Sequence, residues 1–152
     1  MENLNESLLN AWLRISTSVV NSRVVSELPY NESLVCNVLL RNSTDEKSKP
    51  MTATELCEKT NMLKSQMNRT LNLLEDKGII LRERSSTDKR QVLVTLVSNK
   101  DSAYERQHTQ ILQLLDKIIE ELGIEKTYEL INSLNNVSDI ADKILKRNRV
   151  NH

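Results

Sequence analysis

The segment from Leu63 to Val97 constrains the fold of this chain more than any other. Apolar residues recur along its first part at spacings of four, four and three, which predicts an amphipathic helix with one buried face. Gly78 then ends this helix, because a left-handed backbone costs glycine least. Residues 79–84 and 91–97 are rich in β-branched side chains and flank a polar loop, which predicts a hairpin. The helix residues predicted to be buried are Leu63, Met67, Leu71 and Leu74.

The opposite face of the same helix is polar. It carries Ser65, Asn68, Arg69 and Asn72, whose donors and acceptors match base edges and phosphates. Residues 59–90 hold eight basic side chains against four acidic ones, although the whole chain has 21 of each. The positive charge is therefore local, as a nucleic-acid-binding surface requires. We expect this helix to contact nucleic acid, and we refer to it as the recognition helix.

Three shorter patterns precede the recognition helix. Apolar spacing predicts a first helix over residues 5–27 and a second over 32–41, with Asn31 as its N-cap. Thr52 and Glu55 have the spacing of a capping box, which predicts a short third helix to about residue 59. This third helix and the recognition helix together predict a helix-turn-helix.

Two long amphipathic helices follow the hairpin. Ser98 is predicted to cap the first, Gly123 separates them, and the second is predicted over 125–146. Residues 101–147 hold nine acids against six bases, which argues against nucleic-acid contact. We expect these helices to form a homodimer interface with the N-terminal helix, and a self-contained helical subdomain is the alternative. The predicted dimerisation residues are Leu8, Trp12, Ile15, Ile118, Leu122, Tyr128, Ile131, Leu134 and Ile144.

The predicted fold is therefore mainly α with a small β-hairpin wing. It comprises an N-terminal dimerisation helix (1–30), a winged helix-turn-helix DNA-binding lobe (31–98) and C-terminal dimerisation helices (99–152). The chain lacks both a membrane-length apolar run and a signal-peptide pattern, so we expect a cytoplasmic protein.

Catalytic and metal-binding motifs are missing from the sequence. It contains no phosphate-binding glycine loop and no nucleophile elbow, so we expect no enzyme activity and no cofactor. Glu105 and His108 are too few for a metal site, and we expect no bound metal. Cys36 and Cys57 cannot form a disulfide framework and are interpreted as small buried side chains.

Several motifs in the middle of the chain carry a family resemblance. They are Asn68-Arg69, the run LEDKGII at 74–80 with Arg82 after it, and DKR at 88–90 followed by VLVTL at 92–96. In this combination, and in its order of helices, the chain resembles the MarR family of bacterial transcriptional regulators. It departs from the family pattern in having Leu63 where a Ser, Thr or Asp cap is common. It also has Asn68 where Thr or Ser is usual, and residues 96–100 lack the family's Thr and Gly.

The resemblance implies a dimeric winged-helix protein whose two recognition helices enter successive major grooves of a palindromic operator, and we expect a transcriptional regulator that acts as a repressor. Arg90 would enter the minor groove with Asp88 holding it in position, since arginine suits a narrow, electronegative groove. Lys89 and Arg84 would contact the DNA backbone. The full set of expected DNA-binding residues is Lys64, Ser65, Gln66, Asn68, Arg69, Asn72, Arg84, Asp88, Lys89 and Arg90.

The resemblance also implies a small-molecule effector that changes the spacing of the two recognition helices, bound between the dimer helices and the DNA-binding lobe. Two alternatives stay open. The winged helix could instead be a protein-interaction module, such as an antagonist of another regulator, or the protein could be a thiol- or metal-responsive sensor.

Overall fold

The computed structural model of the protein describes residues 3–20, 27–43, 50–97, 99 and 101–150. Within these residues the chain forms six helices and three strands. The chain divides into two compact units, residues 1–111 and residues 112–152. The predicted fold class, a mainly helical winged helix-turn-helix with a small β wing, is confirmed. The predicted functional boundaries near residues 30 and 98 stay a prediction.

The elements follow one another in a simple order. They are α1 (Leu4–Val20), α2 (Tyr30–Ser43), β1 (Met51–Thr52), α3 (Ala53–Thr60), α4 (Lys64–Asp76), β2 (Ile80–Arg84), β3 (Val92–Leu96), α5 (Ala103–Leu122) and α6 (Ile124–Val150). None of the described helices is both long and apolar enough to cross a membrane.

The three strands form one antiparallel sheet in the order β1-β3-β2. Strands β2 and β3 are the predicted hairpin, paired so that Arg82 lies opposite Val94. Strand β1 adds Met51 on the other side of Val94. The sequence did not predict β1, because a two-residue strand is too short to show the alternation that identifies strands.

The core of the first unit lies between α2, α3, α4 and the sheet. Its side chains are almost completely removed from solvent, and burial of this kind stabilises a fold by about 1.5–3 kcal/mol for each large apolar side chain. The most deeply buried residues are Leu28, Val35, Cys36, Leu56, Met67, Leu71, Leu74, Ile80, Val94 and Gln107.

The predicted N-cap of the second helix is wrong, and two other predicted boundaries fall on residues outside the described ranges. Helix α2 begins at Tyr30, and Ser33 N donates to Pro29 O at 3.0 Å, so Asn31 lies inside the first turn and is not the N-cap. Helix α1 is described only to Val20; residues 21–26, where the prediction continued it, lie outside the described residues. The predicted cap at position 98 also lies outside them. Helix α5 is instead capped by Ser102, whose Oγ accepts from Glu105 N at 3.1 Å.

The helix-turn-helix is built as predicted around its capping box. Thr52 Oγ1 accepts from Glu55 N at 3.2 Å, and Glu55 Oε2 accepts from Thr52 N at 2.8 Å, which satisfies two donors at the start of α3. Asn61 follows α3 in the left-handed conformation, with φ +56°. This residue reverses the chain and directs it into α4, the recognition helix.

Candidate nucleic-acid interface

The start of the recognition helix departs from the prediction. Leu63 was expected on the buried stripe, but it is the N-cap of α4, with an extended backbone, and its side chain is 68% exposed. Because it precedes the helix, helical spacing does not govern where its side chain points. Thr70 instead completes the buried face with Met67 and Leu71, and its hydroxyl donates to Gln66 O at 2.8 Å.

The predicted outward face of α4 is confirmed as exposed. Arg69 forms no ion pair with any residue that the structure describes. The side-chain oxygens of Gln66 and Asn72 each accept one hydrogen bond within the protein. Gln66 Oε1 accepts from Leu63 N at 3.2 Å, and Asn72 Oδ1 accepts from Arg82 Nη2 at 2.8 Å. The exposed predicted residues on this helix are Lys64, Ser65, Gln66, Asn68, Arg69 and Asn72.

The recognition helix ends in a turn that joins it rigidly to the wing. Gly78 has φ +69°, Gly78 N donates to Glu75 O at 2.9 Å, and Ile79 N donates to Leu74 O at 3.0 Å. These two bonds form a Schellman motif, which satisfies carbonyls at the helix end. The glycine stop predicted from the sequence is therefore confirmed.

An ion pair adds a second link between α4 and the wing. Arg82 on β2 donates from Nε to Glu75 Oε2 at 2.9 Å, and its Nη2 contacts the same oxygen. The hydrogen bond from Arg82 lowers the pKa of Glu75. In the sequence Arg82 counts as a positive charge and as part of the family motif, but its link to Glu75 could not be predicted, because it depends on how the strand returns past the helix.

The wing tip is organised by Ser85 and Asp88. Ser85 is buried, and its Oγ accepts from Thr87 N and Asp88 N, both at 3.2 Å. Asp88 Oδ1 accepts from Arg90 N at 3.0 Å, so the carboxylate holds the backbone of Arg90. Sequence reasoning missed Ser85; the signal was the polar run SSTD, since serine and aspartate side chains accept from backbone two or three residues on.

One groove of about 870 Å³ is lined by the start of α3, the recognition helix, the sheet and the wing loop. Asn68 and Leu71 border it from α4, and Arg90 and Gln91 border it from the wing. Arg84, Lys89 and Arg90 are exposed and form no ion pair with residues in the described ranges. The groove is therefore lined by predicted DNA-binding side chains from both the recognition helix and the wing.

Two of the eight basic residues between positions 59 and 90 are neutralised. Lys77 Nζ lies 2.6 Å from Glu32 Oε2, whose side chain is buried, and Arg82 pairs with Glu75. The other six are Lys59, Lys64, Arg69, Arg84, Lys89 and Arg90. They have no ion-pair partner among the described residues, so the local excess of positive charge survives folding.

The predicted dimerisation residues are all exposed in the single chain. Exposure ranges from 37% at Leu122 to 69% at Trp12. Leu8, Trp12 and Ile15 lie on α1 in the first unit, and the others belong to the second. Exposed apolar residues along whole helices are typical of an interface, and the dimer itself stays a prediction.

The cysteines and the one described histidine show no sign of a metal centre. No cluster of three or more potential metal ligands occurs in the part of the chain that the structure describes. Burial raises the pKa of the Cys36 thiol to about 12, and Cys57 is half-buried against the core. The His108 ring stacks on the Tyr104 ring with centroids 5.5 Å apart.

The helix-turn-helix, its short sheet and its basic wing define a winged-helix domain of the nucleic-acid-binding type. Residues 28–91 match the family model described as the MarR family. Over these residues the chain is similar to the MarR family, as its motifs predicted.

Solved structures extend the fold to nearly the whole chain. Staphylococcus aureus MarR in complex with salicylate and kanamycin is 22% identical, with a TM-score of 0.72 over 93% of this chain and 95% of that one. The transcriptional repressor CouR bound to a 23-mer DNA duplex is 22% identical, with a TM-score of 0.70 over 90% and 93%. NadR in complex with 4-hydroxyphenylacetate is 21% identical, with a TM-score of 0.67 over 92% and 95%. No curated protein matches the sequence significantly.

Proposed function

We propose that the protein is a homodimeric, sequence-specific DNA-binding transcriptional regulator that acts as a repressor at a palindromic operator. The observation that carries the proposal is the shared groove that Asn68 of the recognition helix and Arg90 of the wing both line. A helix with an exposed polar face fits the major groove, and an exposed arginine on a flanking wing fits the minor groove.

Each predicted DNA-binding residue has a role under this proposal. Ser65, Gln66, Asn68 and Arg69 contact bases and phosphates from α4, and Arg90 enters the minor groove. Asp88 acts indirectly, because its carboxylate fixes the backbone that carries Arg90. Asn72 contributes mainly its amide donors, because its oxygen already accepts one hydrogen bond from Arg82. Lys64, Arg84 and Lys89 neutralise phosphates.

Dimerisation through α1, α5 and α6 would supply the second half of the reading surface. A symmetric dimer presents two recognition helices that read repeated half-sites. The exposed apolar residues along these three helices support the proposal, because burying them against a second copy would remove large apolar areas from water.

A small-molecule effector would control DNA binding. Solved MarR-like proteins hold salicylate or 4-hydroxyphenylacetate, which are both small hydroxylated aromatic carboxylates. Compounds of this chemistry are therefore the first to test as ligands that release the DNA.

The test is a mobility-shift titration with the DNA upstream of the protein's own gene. The wild-type affinity should fall steeply between about 50 and 200 mM salt, because each neutralised phosphate releases counterions. Combined Arg69→Ala and Arg90→Ala changes should abolish the shift. Lys126→Ala is the matched control, since it removes one exposed positive charge from α6 and should bind like the wild type.

The alternative functions predict different outcomes in the same assay. A protein-interaction module would show weak DNA binding with little dependence on salt and no loss in the double variant, which would contradict our proposal. In a thiol or metal sensor, Cys36→Ser or an added chelator would change the release of DNA. In a regulator that senses neither, both would leave the release of DNA unaltered.

A further inference from the structure

We propose that Leu63 reads a thymine methyl group in the operator, and that Gln66 beside it reads bases mainly through its amide donors. This inference rests on the proposed function, because it assigns sequence preference to two residues of the recognition helix.

The position of Leu63 argues against a purely structural role. Its side chain is 68% exposed, whereas Met67, the next apolar residue of α4, is completely buried. It lies at the N-cap of α4, and it belongs to none of the helices that we propose to dimerise. The first residues of a recognition helix are those that contact base edges.

The chemistry of an exposed leucine selects its target on DNA. An apolar side chain has no donor or acceptor for a base edge, and the apolar group exposed in the major groove is the C5-methyl of thymine. Leu63 replaces the polar caps that often begin such helices, so this chain gives up a side-chain cap and gains an apolar contact surface.

The hydrogen bond of Gln66 restricts what that residue can read. Its Oε1 accepts from Leu63 N at 3.2 Å, which uses one of the two lone pairs of that oxygen, whereas its Nε2 is free to donate to a base. A bidentate contact with adenine would have to share the oxygen between the base and Leu63 N. Gln66 should therefore favour an edge with acceptors, such as guanine O6 and N7 or thymine O4.

The experiment begins with duplexes selected by the wild-type protein from a random pool of about 25 base pairs, long enough for two half-sites about ten base pairs apart. Each thymine of the selected duplex is then replaced by deoxyuridine, which lacks only the methyl group. We expect one thymine in each half-site at which the replacement weakens wild-type binding about fourfold, the effect of one buried methyl group. Leu63→Ala should bind both duplexes equally in the resulting double-mutant cycle.

The variant Leu63→Ser distinguishes an effect of Leu63 on DNA sequence preference from an effect on the stability of α4. Serine restores a side-chain cap, so the variant should unfold no more easily than the wild type. It should nevertheless lose the discrimination between thymine and deoxyuridine. Gln66→Glu keeps an acceptor for Leu63 N and removes the donor, so it should lose the preference at the base pair beside that thymine.

Two outcomes would overturn the inference, and they are distinguishable. If the wild type selects a sequence but no deoxyuridine replacement weakens binding, or Leu63→Ala still discriminates, Leu63 does not read a methyl group and the proposed function stands. If the wild type selects no sequence at all, the proposed function fails and this inference fails with it.

Discussion

Gly78 shows at the level of one residue how the backbone specifies the end of the recognition helix. A Cβ added there would meet no heavy atom within 4 Å, but the backbone has φ +69°. Gly78→Ala should therefore destabilise the fold by about 1 kcal/mol through backbone strain alone. The free energy of unfolding, measured by urea titration at fixed protein concentration, checks this value.

Asn61 provides the matched control, because it also has a left-handed backbone. Asparagine tolerates this conformation, so Asn61→Gly should change the unfolding free energy by no more than about 0.5 kcal/mol. Equal destabilisation by the two changes would contradict the assignment of the Gly78 effect to its conformation.

Cys36 and Cys57 should differ in reactivity. Cys36 is completely buried, and its pKa is raised from 9.0 to about 12, mainly by desolvation, so its thiolate is scarce in the folded protein. A thiol reagent at about pH 8 should modify the half-buried Cys57 first and Cys36 only after denaturation. Peptide mapping after a short labelling pulse distinguishes the two. Rapid labelling of Cys36 in the native protein would support the thiol-sensor alternative.

The pKa of Cys36 also predicts a direction for stability. The unfolded thiol ionises at lower pH than the folded one, so the contribution of Cys36 to stability is complete below pH 9.0 and is lost as the pH rises toward 12.

Between elements, the ion pair of Glu75 with Arg82 connects the recognition helix to the wing. The pKa of Glu75 is lowered by its hydrogen bond with Arg82, so the pair stabilises the fold above the ordinary carboxyl value of 4.5 and loses this effect as the pH falls through the folded pKa. Glu75→Gln should therefore destabilise the protein at about pH 7 and have a shrinking effect toward about pH 3. Unfolding titrations at a series of pH values measure this difference.

Arg82→Met supplies the background for this test. In that variant the hydrogen-bonding partner of Glu75 is gone, so Glu75→Gln should no longer alter the pH dependence of stability. A pH effect that persists without Arg82 would mean that another group lowers the pKa of Glu75.

The elements that sequence could predict are those with local signals. The capping box at Thr52, the apolar stripe of α4 and the glycine stop at position 78 all act within one or two turns, and the structure confirms each. The assignment of Leu63 to the buried face is wrong, because the apolar stripe was extended to the residue that precedes the first residue of α4. The links made by Arg82 and Gln107 were missed, because they join residues whose proximity depends on the folded chain.

On the scale of the first unit, Gln107 joins the start of α5 to the segment before α2. Its Oε1 accepts from Glu27 N at 3.1 Å and from Leu28 N at 2.9 Å, and its Nε2 donates to Ser33 Oγ at 2.7 Å. Arg106 on α5 pairs with Glu27 as well. A completely buried amide that is hydrogen-bonded through both its oxygen and its nitrogen is costly to separate from its partners, so Gln107 anchors the first turns of α5 to residues 27–33.

For the whole molecule, the decisive prediction concerns the dimer. Leu134 lies on the apolar side of α6 and is 53% exposed in the single chain, which leaves room for burial against a second copy. Because about half of Leu134 is already covered, burying the rest at a symmetric interface gains roughly half of the about 1.5–3 kcal/mol of a full burial, once for each copy. Leu134→Glu removes this gain and places two carboxylates at the interface, so it should weaken dimerisation by about 3 kcal/mol, seen as monomer in sedimentation velocity at micromolar concentration.

Asn136→Glu is the control for added charge, because Asn136 is exposed and lies two residues from Leu134, on the opposite side of the helix. It should sediment like the wild type. The Leu134→Glu monomer should keep its helical circular dichroism and lose operator binding, because one recognition helix makes only half of the phosphate and base contacts. If the Leu134→Glu variant remains dimeric, α6 does not form the interface. If the variant is a monomer that binds the operator with full affinity, the two DNA-binding lobes do not act as a pair.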